Sequence, residues 1–350
     1  MNGRRSTLSD IARAVGVDVS TVSLVLNRKP RAGRLRPETR ERIEQCARQL
    51  GYRPSLTARA LLTGKTGMLG MVVGDIASTF YAELTAAALR IAERHGRQLL
   101  VAATEWSVDK ERRALDSLLN AGVDGIIFMP GSFLEHSEQV AAIRRERIPV
   151  VTYDYKVPGA SAIFCDYAPG MERAVELLSA RHRQILCLLN RDDHSPKLEP
   201  LLAACRKFGC HAEIIPHGGS SFSNFEKEID LSVFLSSAQQ EACIVCGGED
   251  AVYILNRLMS QGVSIPHKLE LVGLAGNRLS HFTNPSLAVI QMDTEQLMEA
   301  AFRLIESGEE SVVRVPTGFI PGGSVLPRCG KTDSRTAYDA ASPLRYKNFN

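Results

Sequence analysis

Near the start of the chain, apolar residues recur at the spacing of an amphipathic helix. The stretch 8–15, LSDIARAV, places its apolar residues on one face. Thr7 is a suitable N-cap, because Asp10 follows three residues later and can complete an approximate capping box. Gly16 tolerates the positive φ of a tight turn. The pattern therefore predicts a short helix that ends at this glycine.

The following stretch predicts a second short helix with one buried and one outward face. Asp18 can accept hydrogen bonds from its first turn, and Val22, Val25 and Leu26 recur at i, i+3 and i+4. Two short helices joined by a glycine turn are typical of a helix-turn-helix, whose second helix enters the major groove of DNA. The residues left pointing away from the core are Val19, Ser20, Ser23 and Asn27.

A basic segment and a third helix complete this N-terminal region. Residues 28–36 contain Gly and Pro and are strongly basic, so they are predicted to form a loop. Pro37 suits the first position of a helix, where its missing N–H costs nothing. Ile43, Ala47 and Leu50 give this helix its inner face, and Gly51 ends it.

From Met68 onward, short apolar runs alternate with amphipathic helical patterns. This alternation predicts buried parallel strands in two doubly wound α/β lobes, with a cleft at the carboxyl ends of the strands, where small ligands bind. The runs lie at 68–74, 98–104, 124–130 and 148–153, with helices near 80–95, 109–121 and 136–146, and then at 184–190, 212–216, 241–246 and 269–274.

The charge of the chain is divided unevenly. Residues 1–65 hold 14 Lys and Arg against 5 Asp and Glu, a balance of +9, whereas the whole chain of 350 residues carries only +3. The remainder is therefore mildly acidic, at −6. A basic head on an acidic body is the electrostatic pattern of a DNA-binding module attached to a sensor.

The sequence favours a cytoplasmic protein that carries no cofactor. It has no apolar run long enough to cross a membrane and no signal-peptide pattern, so we expect no membrane association. Its eight cysteines show no disulfide framework. Cys243 and Cys246 lie in an apolar run, so they are interpreted as reduced core residues, with a metal or redox pair as the alternative.

The residues of the first two helices resemble the N-terminal signature of the lactose-repressor/galactose-repressor family of bacterial transcription regulators. The match, which weakens along the chain to about residue 325, is carried by Thr7, Asp10, Ile11, Ala12, Gly16, Val17, Thr21, Val22, Ser23, Val25, Leu26 and Asn27. The resemblance implies an all-α helix-turn-helix head and an α/β, two-lobed, periplasmic-binding-protein-like body. It also implies a homodimer that binds a double-stranded DNA operator.

These expectations give the following division of the chain. The head occupies 1–54, a hinge helix and linker 55–67, and the body 68–328. The resemblance implies that the chain returns to the first lobe near 291–294. Lobe 1 is therefore expected at about 68–165 plus 294–328, and lobe 2 at about 166–293. Residues 329–350 are polar and without periodicity, and they are interpreted as a disordered tail.

The candidate DNA contacts follow from chemistry and from the resemblance. Val19 and Ser20, in the first turn of the second helix, are expected to read bases, whereas Thr21 and Ser23 are expected on phosphates. Leu24 replaces the arginine that the family commonly has, so it either changes the preferred operator or simply packs. The basic loop is also longer than the family usually has. The full set is Thr7, Val19, Ser20, Thr21, Ser23, Leu24, Asn27, Arg28, Arg31, Arg36, Tyr52, Ser55, Ala58, Arg59 and Leu61.

The segment 55–62, SLTARALL, resembles the hinge helix of the family. A helix of this length is unstable alone in water, so it is expected to form only on DNA and against its copy in a second subunit. The resemblance implies that Leu61 wedges between central base pairs from the minor groove. The alternative is that Leu61 packs on the body.

In the cleft, the sequence keeps only part of the family's ligand-binding pattern. Asp154 and the aromatic pair Phe80 and Tyr81 match it, and the usual arginine falls near Lys197. The Asn-Asp pair and the G-[FY]-D-[DN] phrase are lost, although Glu249, Asp250 and Asn277 lie nearby. The expected effector contacts are therefore Phe80, Tyr81, Asp154, Lys197, Glu249 and Asn277. Either the effector is not an ordinary monosaccharide or effector control has weakened.

No catalytic motif accompanies these features: the body has no P-loop, no nucleotide-binding glycine pattern after its first strand and no nucleophile elbow. The sequence therefore predicts a sequence-specific transcription regulator, a repressor, that is not an enzyme. A small molecule, either a sugar or a sugar-like compound, is expected to control it from the cleft. The alternatives are a stand-alone small-molecule-binding protein and an α/β enzyme with a regulatory head.

Overall fold

The computed structural model describes residues 6–27, 30–52, 64–130, 137–190, 196–217, 241–245, 248–276 and 278–327. The chain divides into two compact units, the head (residues 1–67) and the body (residues 68–350). The hinge residues 55–63 and the tail 329–350 lie outside the described residues, so their expected conformations remain predictions.

The described part of the head contains three α-helices at the positions that the apolar pattern predicts, although Leu50, expected on the inner face of the third, is 40% exposed. They are α1 (Leu8–Val15), α2 (Val19–Leu26) and α3 (Pro37–Gln49). Thr7 and Asp10 form a complete capping box at the start of α1, and Gly16 ends this helix at φ 76°. The Asp18 carboxylate accepts a 2.7 Å hydrogen bond from the Ser20 N–H at the start of α2.

The three helices bury one small apolar core. Ile11, Val22 and Ile43, one from each helix, are completely buried in it. The segment Pro30–Arg34, predicted as a loop, forms a short 3₁₀ helix. Ala32 in this helix is buried in the same core. This apolar contact orders part of the segment, and it could not be recognised from a composition that is mostly basic.

The body contains two six-stranded sheets, one in each lobe. Sheet 1 is entirely parallel and has the order β2-β1-β3-β4-β5-β11. Its strands are β1 (Met68–Val73), β2 (Gln98–Ala103), β3 (Ile126–Phe128), β4 (Val150–Tyr153), β5 (Ser161–Asp166) and β11 (Val312–Pro316).

Sheet 2 has the order β7-β6-β8-β9-β10-β12 and is parallel except for its last pair. Its strands are β6 (Gln184–Asn190), β7 (His211–His217), β8 (Glu241–Val245), β9 (Leu269–Leu274), β10 (Ala288–Gln291) and β12 (Gly318–Ile320).

Helices connect the strands, as expected for two doubly wound lobes. They are α4 (Thr79–Arg94), α5 (Val108–Asn120), α6 (Ser137–Arg145), α7 (Ala168–Ser179), α8 (Leu198–Phe208), α9 (Gly248–Ser260) and α10 (Thr294–Ser307). No helix in the described part of the chain is long and apolar enough to span a membrane.

The structure differs from the expected lobes near the end of the body. The sequence assigned 294–328 to lobe 1, and α10 and β11 lie there as expected. The chain then returns to lobe 2, because β12 pairs antiparallel with β10 in sheet 2. Ser324 continues this return by donating a 2.6 Å hydrogen bond to the Leu271 carbonyl of β9. Three short segments therefore connect the lobes, and the last follows β11.

The capping box of α1 provides a test of the head. Thr7→Ala removes the hydroxyl that accepts a hydrogen bond from the Asp10 N–H. We expect this change to lower the unfolding free energy of the head by about 1 kcal/mol. Urea unfolding of the full chain, followed by far-ultraviolet circular dichroism, measures this loss. Ser9→Ala, at an exposed neighbouring position, is the matched control. Equal effects of the two substitutions would contradict a stabilising box.

Candidate nucleic-acid interface and ligand cleft

Helix α2 has one face buried in the head core, and its first turn carries residues that face outward. Val22 and Val25 are buried in the head core, whereas Ser20 is exposed and Val19 keeps 40% of its surface in solvent. The exposed apolar surface of Val19 suits contact with a thymine methyl. The two residues expected to read bases therefore lie together on the outward face.

Several other expected DNA contacts already have hydrogen-bond partners within the head. The Thr7 hydroxyl donates to Asp10 Oδ2 at 2.7 Å. Asn27 Nδ2 donates to the Ser23 carbonyl at 2.9 Å and to Ser23 Oγ at 3.1 Å. Thr21 is half-buried. These bonds fix the ends of the two helices, and the roles of these residues on phosphates remain predictions.

Leu24 and Tyr52 lie against the head core. Both side chains are half-buried and contact its apolar residues. Burial raises the pKa of the Tyr52 hydroxyl. For Leu24, the sequence left open a change in operator preference or simple packing, and its position favours packing.

The basic candidates are only partly within the described residues. Arg31, within the 3₁₀ helix, and Arg36, at the N-cap of α3, are both exposed. Their guanidinium groups are therefore available to phosphates. The remaining candidates lie outside the described residues, namely Arg28, Ser55, Ala58, Arg59 and Leu61.

In the body, the carboxyl ends of β1 and β4 carry a row of four aromatic rings. The Phe80 ring is 5.9 Å from Tyr153 and 5.0 Å from Tyr81, and Tyr81 in turn is 5.3 Å from Trp106 (centroid distances). The sequence pointed to the pair at the start of α4 but not to Trp106. Gly74 makes room for this ring, because a Cβ at Gly74 would lie 2.5 Å from the indole.

Asp154 stands beside this row, with its carboxylate held by protein groups. The Cys165 N–H donates to Oδ1 at 2.8 Å, and the Tyr167 hydroxyl donates to Oδ2 at 2.9 Å. Burial raises the pKa of Asp154, and these two hydrogen bonds oppose the rise. Tyr167 is buried, and its role could not be anticipated from the apolar pattern, because β5 was not predicted. The carboxylate expected to receive ligand hydroxyls is thus oriented by two partners.

Carboxylates also join the two lobes across the cleft. Glu249, at the start of α9 in lobe 2, accepts a 2.5 Å hydrogen bond from the Thr79 N–H at the start of α4 in lobe 1. In the opposite direction, Glu83 of α4 accepts a 3.1 Å hydrogen bond from the Arg278 N–H of lobe 2. The first turn of a helix has unpaired N–H groups and a partial positive charge, so it favours a carboxylate. Each lobe therefore supplies a carboxylate to a helical N-terminus of the other.

Asp250, next to Glu249, is the most perturbed carboxylate in the cleft. Burial raises its pKa to about 6, and the negative charge of Glu249 adds to this rise. The positive charge of Lys197, at the N-cap of α8, lowers the pKa of Asp250 and also that of Asp154. Lys197 is thus near both carboxylates, and its contact with a ligand remains a prediction. Asn277 lies outside the described residues.

The arrangement is suited to binding a polar small molecule. Among the described residues, no three His, Cys, Asp or Glu side chains are grouped so that they could hold a metal ion. Cys243 is buried and reduced in β8, and Cys246 is outside the described part. Aromatic rings, buried carboxylates and one lysine are instead the groups that orient a hydroxylated ligand.

Asp250 gives a pH-dependent prediction. Its pKa is raised from 3.8 to about 6 in the folded protein, so ionising it opposes folding above that pH. Asp250→Asn should therefore raise the unfolding free energy at about pH 8 by up to about 3 kcal/mol. The gain should shrink as the pH falls through 6 towards 3.8. Thermal unfolding across this range measures it, with exposed Asp116→Asn as the control; a gain independent of pH would contradict this assignment.

Both units of the chain match models of known protein families. Residues 7–55 match the model of bacterial regulatory proteins of the lacI family, and residues 66–320 match that of periplasmic binding proteins and the sugar binding domain of the LacI family. Catabolite control protein A of Priestia megaterium is 27% identical over 329 residues, covering 89% of this chain and 96% of that protein.

One further curated relative and one solved structure are also similar to this chain. The HTH-type transcriptional regulator AscG of Escherichia coli K12 is 27% identical over 311 residues, covering 86% of this chain and 91% of that protein. A lac repressor dimer bound to operator and the anti-inducer ONPF has the same fold, with a TM-score of 0.72 at 20% identity over 93% of this chain and 100% of that one. These curated relatives are transcription regulators. With a helix-turn-helix head and a two-lobed sugar-binding-type body, the chain belongs to the lacI family of bacterial regulatory proteins.

Proposed function

We propose that this regulator is a homodimeric repressor that binds a pseudo-palindromic operator and is controlled by a small molecule in the inter-lobe cleft. The observation that carries the proposal is the outward face of α2, where Val19 and Ser20 are exposed beside each other while the same helix is anchored by Val22 and Val25. A recognition helix reads base edges with its N-terminal residues.

The remaining head residues supply affinity in this proposal. Arg28, Arg31 and Arg36 neutralise phosphates and release counterions, which strengthens binding to any sequence. Thr7, Thr21, Ser23, Asn27 and Tyr52 position the head on the backbone. Leu24 contributes through packing rather than by contacting guanine, so the preferred operator differs from that of relatives with arginine there.

Exposed apolar side chains on both lobes support the homodimer. On lobe 1, Leu89 of α4 keeps 47% of its surface in solvent, close in sequence to the half-buried residues of edge strand β2. On lobe 2, Phe282 is 80% exposed and Leu279 is 47% exposed. Leu279 and Phe282 are only three residues apart, and contiguous exposed apolar patches mark interaction surfaces. A second copy that covers them would bring two heads to one operator.

Solved relatives support a carbohydrate-like effector. Two neighbours of similar fold are described as a CelR–cellobiose complex and as a regulator complexed with D-xylulofuranose. In this proposal the ligand contacts of the chain are Phe80, Tyr81, Asp154, Lys197 and Glu249, together with Asn277 as the sequence predicts. Ligand binding would change the relative position of the lobes, because the Glu249 and Glu83 hydrogen bonds between them must adjust.

The lobes would act on DNA through the segment 55–62. A change in lobe position alters the spacing of the two hinge segments in a dimer, and so favours or disfavours their helical, DNA-bound state. We propose no catalytic activity and no cofactor. A regulator that reads chromosomal DNA works at the nucleoid, so we propose a cytoplasmic location.

Selection of binding sites from random DNA, followed by footprinting, tests the proposal. The full-length protein should enrich and protect an inverted repeat, since the two-fold symmetry of a dimer is repeated in its half-sites. Val19→Ala and Ser20→Ala should change the selected half-site. Gln45→Ala, on an exposed position of α3, should not. A protein that enriches no sequence would instead be a stand-alone small-molecule-binding protein.

The hinge assignment gives a separate prediction. Leu61→Ala should weaken binding to the selected operator about tenfold or more, because the intercalating side chain stabilises the kinked duplex. Binding to random DNA should change little, since phosphate contacts dominate it. Fluorescence anisotropy with both DNAs measures the two effects. Equal losses on both would show that Leu61 packs elsewhere.

A further inference from the structure

Among the described residues, the cleft of the body has more negative than positive charge. Asp154 directly follows Tyr153, whose ring is 5.9 Å from Phe80, and the Glu249 carboxylate accepts a hydrogen bond from the Thr79 N–H, beside Phe80. Asp250 follows Glu249 in the chain, and Asp75 is near as well, since it and Asp154 both raise the pKa of Tyr81. These four carboxyl groups and Lys197, which lowers the pKa of Asp154 and Asp250, leave the described part of the site negative once Asp250 is ionised. A neutral ligand would leave this charge uncompensated.

The aromatic row faces the same group of carboxylates. Tyr81 connects the two features, because its ring contacts both Phe80 and Trp106 while its hydroxyl is close to Asp154 and Asp75. Aromatic faces attract cations through their quadrupole, and carboxylates attract them through charge. Aromatic rings beside acidic groups are the combination that selects an organic ammonium ion.

One donor in this row has no acceptor among the described residues. The Trp106 Nε1–H is buried and lacks a hydrogen-bond partner there. A buried donor without an acceptor costs about 1–3 kcal/mol, so such groups commonly mark positions that a ligand or water fills. Their natural partners are ligand oxygens, such as hydroxyl groups.

A metal ion fits these observations less well than an organic ammonium ion does. Within the described ranges no group of three side chains has the arrangement needed to ligate one. Asp154 has hydrogen-bond donors on both oxygens, and Glu249 caps a helix. Carboxylates that are held apart in this way can stabilise a dispersed organic cation at a distance but cannot coordinate a common ion.

We propose that the effector of this regulator carries a protonated amine together with hydroxyl groups, so that amino sugars are its chemical class. The proposal rests on the function proposed above, and it names the ligand of the same cleft. The ammonium group lies between the aromatic row and the carboxylates of Asp250 and Asp154, and a ligand hydroxyl accepts the hydrogen bond of the Trp106 indole N–H. In this proposal, the absence of the arginine and the Asn-Asp pair that the family usually has reflects a change from a neutral to a cationic ligand.

Trp106 provides the measurement, because it is the only tryptophan in the chain. Its fluorescence in the full-length protein should report occupancy of the cleft directly. The probes are D-glucosamine and D-galactosamine, each paired with its neutral counterpart, D-glucose or D-galactose. N-acetyl-D-glucosamine keeps the nitrogen but removes its charge. At least one amine should bind ten times or more tighter than its neutral partners, since a tenfold preference needs only about 1.4 kcal/mol.

Matched variants separate charge from stability. Asp250→Asn should reduce affinity for the amine about tenfold and leave the neutral sugars unaffected. Asp116→Asn, which removes an equal charge from an exposed position of α5, should change neither. Because Asp250→Asn is expected to stabilise the fold, a loss of binding cannot be attributed to unfolding, and the thermal midpoint of each variant checks this.

The remaining outcomes of the binding measurements would overturn the inference about the ligand. The proposed function is tested separately, by the DNA experiment. Equal or tighter binding of the neutral sugars would overturn the amine but retain a sugar-controlled regulator. No response of Trp106 or of the thermal midpoint to any probe would overturn the amino-sugar class. Failure of the full-length protein to protect an inverted repeat in the absence of probes would instead overturn the operator proposal, whatever the cleft binds.

Discussion

The hydrogen bond from the Thr79 N–H to the Glu249 carboxylate, 2.5 Å long, holds the two lobes of the body together across the cleft. It joins the start of a helix in lobe 1 to the start of a helix in lobe 2. The Glu83 carboxylate makes a similar contact in the other direction with the Arg278 N–H. Both bonds cross the cleft that a ligand must enter. Any molecule that binds there changes these two bonds or is enclosed by them, so binding and lobe position are linked.

The same elementary interaction, a polar side chain on the free N–H groups of a helical turn, also organises the head. Thr7 with Asp10 begins α1, and Asp18 begins α2. These caps are local and are completed within three residues, so they define where each short helix begins. The apolar core then orients the helices, and it leaves Val19 and Ser20 at the outward start of α2. Short-range capping and a small core together present the reading surface.

The cleft shows the balance between stability and binding that is expected of a ligand site. Burial raises the pKa of Asp250 to about 6, so near neutral pH the folded protein bears the cost of a charged, buried group. The buried Trp106 indole N–H lacks a partner within the described residues. Features that weaken the empty protein persist where a ligand can compensate them. Their concentration in one cleft is the physical argument for binding there.

The sequence alone determined the helices of the head, the first strands of each lobe and the family. These features depend on residues close in the chain, such as the capping box at Thr7 and the periodic apolar residues of α1 and α2. It also pointed to Phe80, Tyr81 and Asp154. Strands β5, β10, β11 and β12 were not predicted, because short strands in a sheet are defined by their neighbours rather than by their own pattern. Only the tertiary structure decided that Trp106 joins Tyr81 over Gly74, that Glu249 caps Thr79, and that the chain returns to lobe 2 after β11. Each of these contacts joins segments distant in sequence, and local periodicity carries no information about such pairs.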